Sequence, residues 1–123
     1  MKLPKQGLLY MKEHEKVVLD KIKAYAAQAI RFAENMDFDG FSEDIKTIYA
    51  CVFNLSQIGE LVGKLSAEFV QSAGHIPWRK IKGLRNRIVH DYEGIRLNIV
   101  WEVITEFLPQ LIEDIERLAR NLG

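Results

Sequence analysis

An all-α fold is predicted here, an up-and-down bundle of four helices with five as the alternative count. Three observations predict it. Apolar residues recur at helical spacing almost throughout. Only three prolines and eight glycines interrupt the pattern. The long periodic segments are joined by short connections, which favours antiparallel neighbours. Strands are not expected anywhere, and 123 residues suit a single domain over 1–123 with a real core.

In the first segment Val18, Ile22, Tyr25, Ala29, Phe32 and Met36 recur at steps of four and three, one apolar stripe on a helix of about twenty residues or more. It should stop at the turn-forming "DFDG" of residues 37–40. Ser42, followed by Glu43 and Asp44, makes a good start for a second helix: the hydroxyl can cap a free amide, and the acids oppose the positive end of the dipole. That helix should run to about Ser72. Ser56, Gly59, Gly63 and Ser66 give it a small-residue face that another helix can approach closely.

"GHIP" closes the segment, and a shorter third helix is expected from Trp78 to His90 or Tyr92, ended by Gly94. The fourth spans roughly 97–121, with Val100, Ile104, Phe107, Leu111, Ile115, Leu118 and Leu122 as its seam. Pro109 lies inside that seam and should kink it, since its ring removes one backbone donor.

Seventeen basic and seventeen acidic side chains cancel, so any nucleic-acid contact must come from a local cluster. One exists: Arg79, Lys80, Lys82, Arg85 and Arg87 fall within nine residues. Cys51 is alone, which excludes an intramolecular disulfide and suits a reduced cytoplasmic setting. The apolar runs are too short for a membrane span, and the first ten residues lack a signal-peptide pattern. Met11 could equally be the start codon, which would make the first ten residues dispensable, and residues 1–12 read as a flexible N-terminal extension.

"RNRIVHDY", residues 85–92, concentrates chemistry in one short stretch. Projected on a helix, Trp78, Ile81, Leu84, Ile88, Val89 and Tyr92 share an apolar arc, and Arg79, Gly83, Asn86 and His90 share a polar one. Arg85 projects about 140° from His90. A straight helix therefore cannot easily aim both at one atom. Either the helix loosens near His90, or a second copy of the chain completes the site across a two-fold axis. A purely structural reading also exists: Arg and His complement a helix C-terminus, and Tyr often anchors a helix end.

The pattern R-x4-H-x-Y with Asn directly after the Arg resembles the signature of HEPN-domain proteins of the HepT type. These are ribonuclease toxins encoded beside MntA-type minimal nucleotidyltransferase antitoxins. The likeness extends over "QIGELVGKLS" (57–66), "WRKIKGLRNRIVHDYEGI" (78–95) and "VWEVITEFLPQLIEDI" (100–115); only residues 1–12 fall outside it.

The resemblance implies a HEPN-like helical homodimer with two motif copies in a cleft. It implies metal-independent endoribonuclease activity in a type II toxin–antitoxin system. Arg85 and His90 would be catalytic, Asn86 a supporting polar group, and Tyr92 the tyrosine that the nucleotidyltransferase modifies with AMP. The alternative the family offers is a non-catalytic, nucleotide- or partner-binding subunit.

The chemistry is coherent on its own terms. RNA cleaves itself when its 2′-hydroxyl attacks the adjacent phosphate, so a protein need only move protons and stabilise charge. An ordinary histidine titrates at roughly 6.5 and serves as acid or base at cellular pH. Arginine stays charged and can hold two phosphate oxygens. The need for a 2′-hydroxyl excludes DNA as substrate. Arg79, Lys82 and Arg87 are the candidate RNA-phosphate contacts.

Other residues offer less. His14, His75 and His90 are too scattered for a metal site, and neither metal nor cofactor is expected. His14, with Glu13 and Glu15, reads as a solvated helix start. Cys51 reads as a small core residue. Glu60 neighbours the small-residue face and reads as a bundle-edge carboxylate, with pairing to a third-helix arginine as the alternative. Asp91 is a local counter-charge.

Overall fold

The structure, a computed structural model, describes the backbone of residues 5–90 and 94–122 and the side chains of residues 13–89 and 94–120. It is all-α, with long helices packed around one core. The first predicted helix is α1 (Lys5–Phe32). It packs against α3 (Ile45–Val62) and α8 (Leu108–Leu122). The stripe is buried at Val18, Ile22 and Ala29, joined by Leu19, Ala26 and Ala33. Tyr25 and Met36 are half-buried and Phe32 is 37% exposed.

Between α1 and α3 the structure differs from the sequence expectation. "DFDG" is not a turn but the start of a short helix, α2 (Phe38–Glu43). The Asp37 carboxylate caps it by accepting from the Gly40 amide at 2.8 Å. The reversal falls earlier, at Asn35, whose φ of 65° is one that asparagine tolerates. Ser42 does not begin α3, because its hydroxyl donates to the Asp39 carbonyl at 2.9 Å. Asp44 is the cap, accepting from the Thr47 amide at 3.1 Å.

The predicted second helix also divides near its end. α3 stops at Val62, and α4 (Ala67–Ser72) restarts with the Ser66 hydroxyl accepting from the Phe69 amide at 3.1 Å. Buried Asn54 fixes the register of α3 on α1, donating to the Tyr25 carbonyl at 3.1 Å and to Gln28 Oε1 at 2.9 Å.

The fourth predicted helix is α7 (Leu97–Glu102), a π turn (Val103–Phe107) and α8. Val100, Ile104, Leu111 and Ile115 are buried as expected, together with Val103 and Leu108. The widened turn immediately precedes Pro109, which cannot donate a backbone hydrogen bond, and the Leu108 amide reaches back to the Val103 carbonyl. Phe38 and Phe41 of α2 pack on Trp101 of α7, with centroids 6.2 and 5.1 Å apart. No helix of the described residues is long and apolar enough to cross a membrane.

Candidate functional site

The segment that carries the motif is pinned at its start. Trp78 opens α5 (Trp78–Lys82), is buried, packs on Phe69 and donates its indole N–H to the Ala73 carbonyl at 3.0 Å. Gly83 divides α5 from α6 (Leu84–Ile88), so the single third helix of the sequence reading is two short ones. Trp78, Ile81, Leu84 and Ile88 face the core, as the projection predicted. The small-residue face holds the segment close. A Cβ added at Gly59 would stand 3.2 Å from the Lys82 carbonyl oxygen and 3.4 Å from that of Ile81.

The helix ends before the histidine. Val89 is extended at φ −109° and ψ 119°. It begins a two-residue strand, β1 (Val89–His90), paired antiparallel with β2 (Gly94–Ile95). Val89 lies opposite Ile95 and His90 opposite Gly94, and the Arg96 amide donates to the Ile88 carbonyl at 2.8 Å. This small pairing was not expected from the sequence. Gly94 at φ 84° permits it, a conformation most residues avoid. The helical projection therefore holds for Arg79 to Ile88 and lapses at Val89 and His90.

Arg85, Asn86 and Arg87 sit together on α6, and Arg79 and Lys82 on α5; all five side chains are exposed. Of His90 only the backbone belongs to the described residues. Asp91 and Tyr92 lie outside them. The basic side chains divide between two flanks. Arg79 and Lys82 line a concavity of about 290 Å³ against α3 and α4. Arg87 and Lys80 line a groove of about 490 Å³ between α5–α6 and α7 with its π turn, where Glu102 and Glu106 form the opposite wall. That groove had no counterpart in the sequence reading.

Four further residues are placed by their burial or exposure. Cys51 is fully buried, and burial pushes its thiol up to about 11 from 9.0. Glu15 is not the solvated residue its neighbours suggested. It is 3% exposed and accepts from the Ser66 amide at 3.3 Å, while its Oε2 has no partner among the described residues. Its neighbour His14 is exposed, with Nε2 3.0 Å from the Lys64 carbonyl oxygen. Glu60 is exposed and, among the described residues, in no ion pair.

Among the described residues no three His, Cys, Asp or Glu side chains gather as a metal site. A second unforeseen feature is an exposed apolar row on α3: Ile45, Tyr49 and Phe53 are 64%, 60% and 56% exposed. Their four-residue spacing was the signal available in the sequence.

The comparisons with known proteins agree with one another. The family model described as "HepT-like: Ribonuclease HepT-like" matches residues 22–118. A protein of Methanocaldococcus jannaschii, provisionally named an RNase, is 33% identical over 93 residues, covering 76% of this chain and 77% of that one. One from Caldanaerobacter subterraneus subsp. tengcongensis, also provisionally named an RNase, is 27% identical over 121 residues, 98% of each chain. A Thermococcus cleftensis protein, provisionally named ribonuclease HepT, is 28% identical over 110 residues, 89% of this chain and 100% of that one. No solved structure matches the chain.

Proposed function

The chain belongs to the HepT-like ribonuclease family, and from that premise we propose that this ribonuclease cuts RNA internally, without a metal ion, at a site built by Arg85, Asn86 and His90. His90 takes the proton from the attacking 2′-hydroxyl or supplies one to the leaving 5′-oxygen. Arg85 binds the phosphate oxygens as charge accumulates on them. Asn86 holds the imidazole or a ribose oxygen by hydrogen bond. The product is a 2′,3′-cyclic phosphate.

The observation that carries this reading is the change of backbone from helix at Ile88 to strand at Val89. On a continuous helix Arg85 and His90 diverge by about 140°. An extended backbone ahead of His90 removes that constraint. Exposure of Arg85 and Asn86 beside Arg79, Lys82 and Arg87 supports access for a polyanion.

A homodimer is part of the proposal, and the row Ile45, Tyr49, Phe53 supports it. Three large apolar side chains in line on one helix are costly to leave in water, and a second copy would cover them. Control would come from an MntA-type nucleotidyltransferase antitoxin. AMP on the Tyr92 hydroxyl puts a bulky anion two residues from His90, where it competes with RNA phosphate for Arg85.

The test is an RNA oligonucleotide with a mapped cut, compared with one carrying a single 2′-deoxy sugar at that position. The cut should vanish only in the substituted RNA. Cleavage at the deoxy position would overturn the mechanism.

A further inference from the structure

We propose that the groove between α5–α6 and the π turn holds one guanine of the RNA and so biases where the strand is cut; this rests on the ribonuclease reading above. The groove's volume of about 490 Å³ lies in the range of single-ligand sites, roughly 300–1,000 Å³. It is lined on one side by Lys80 and Arg87 and on the other by Glu102 and Glu106, with Leu84 and Phe107 between them. Among the described residues none of these four charges is ion-paired to another. Glu102 and Glu106, four residues apart and both exposed, give that wall its acceptors. A ligand that is anionic at one end and rich in N–H donors at the other complements both walls together.

A nucleotide has that form, and the carboxylates select among bases. Guanine presents two adjacent donors on its Watson–Crick edge, N1–H and the N2 amino group, which a carboxylate accepts as a pair. Uracil presents one N–H between two carbonyl oxygens, which a carboxylate repels. Adenine and cytosine each set an acceptor beside their single amino group. Half-buried Phe107 supplies apolar surface for one face of the ring, an arrangement that tolerates any base. Selection therefore falls to the glutamates, and phosphate binding to Lys80 and Arg87.

The groove is lined from the same short helix that carries Arg85 and Asn86. Arg87 follows Asn86 on α6, and an α-helix with its side chains is about 10–12 Å across. RNA that crosses the end of α6 reaches both the groove and Arg85 within a few nucleotides.

The experiment is titration of the full chain with 5′-GMP, 5′-IMP, 5′-AMP, 5′-CMP and 5′-UMP, followed by NMR shifts of residues in the groove. GMP should bind roughly tenfold or more tightly than UMP, the scale of one well-made base contact. IMP, which lacks the N2 amino group, should fall between. The double variant Glu102→Gln/Glu106→Gln should bring GMP down to the level of UMP. Lys80→Gln should weaken every nucleotide alike.

His90→Ala should keep the guanine preference, which separates this site from the cutting residues. Equal binding of all five nucleotides, a preference that survives the double variant, or shifts confined to Arg85 and Asn86 would overturn the proposal. If guanine preference is present but no RNA is cut, the ribonuclease reading fails and the groove remains. If RNA is cut without guanine preference, the groove proposal fails alone.

Discussion

Val89 pairs with Ile95 one residue beyond the end of α6, so the chain is already extended when it reaches His90. The pairing depends on Gly94, at φ 84° opposite His90. Among the described residues a Cβ there would meet nothing within 4 Å, so backbone strain is the cost of substitution that the structure shows. Gly94→Ala should cost about 1–2 kcal/mol of stability. Gly94→Asn should cost less, because asparagine tolerates left-handed backbone. Urea denaturation of the two variants tests this, and equal losses would show that φ is not the cause.

Gly59 sets how closely α3 approaches α5. With carbonyl oxygens at 3.2 and 3.4 Å from the position of its missing Cβ, the neighbour is backbone and cannot rotate aside. Gly59→Leu should lower stability by about 1–3 kcal/mol despite the better helix propensity of leucine. It should also reduce cleavage by displacing the segment that bears Arg85. Chemical denaturation and an RNA assay on the same preparation would check both.

The row of Ile45, Tyr49 and Phe53 is expected to be an interface between two copies. Phe53 is 56% exposed, so Phe53→Glu should leave the helical fold intact by circular dichroism. Sedimentation should find a dimer in the wild type and a monomer in the variant, with cleavage lost in the monomer. A wild type that is monomeric at micromolar concentration would remove the dimer from the account.

Cys51 offers a test of core integrity. Its thiol, raised to about 11 by burial, should resist alkylation at pH 8 in the folded protein and react promptly once unfolded. The unfolded chain loses this proton near 9.0, whereas the folded chain keeps it until about 11. Folded stability should therefore be unaffected by this group below pH 9 and fall as pH rises through that window. Thermal melts of wild type and Cys51→Ala from pH 8 to 11 would reveal the difference in slope.

Much of the fold could be read from spacing alone. Val18, Ile22 and Ala29, then Ile81, Leu84 and Ile88, then Val100, Ile104, Leu111 and Ile115 are buried where periodicity put them. Spacing failed where helices restart without a change of phase. Asp44, Ser66 and Gly83 each interrupt the backbone for a turn or less, and the apolar pattern continues across them. Local side-chain hydrogen bonds made those boundaries at Asp44 and Ser66.

The site was less accessible to the same reasoning. Arg85, Asn86 and Arg87 were identifiable as a cluster, yet their placement depends on helix ending at Ile88, which no local residue announces. Glu15 is buried because Ser66, far along the chain, brings its amide to it. The groove between Lys80, Arg87 and Glu102, Glu106 joins segments separated by the strand pair, and neither segment alone suggests it. Tyr92 belongs to the motif but lies outside the described residues.

End-labelled RNA in excess EDTA tests most directly whether "RNRIVHDY" cuts RNA. Wild-type protein, verified by intact mass to carry no AMP, should yield fragments ending in a 2′,3′-cyclic phosphate. His90→Ala and Arg85→Ala, each confirmed as folded, should reduce the rate at least about 100-fold, the scale of a lost acid–base or charge-stabilising group. Wild-type cleavage that persists undiminished in both variants, or none by unmodified wild type across several RNAs, would contradict it.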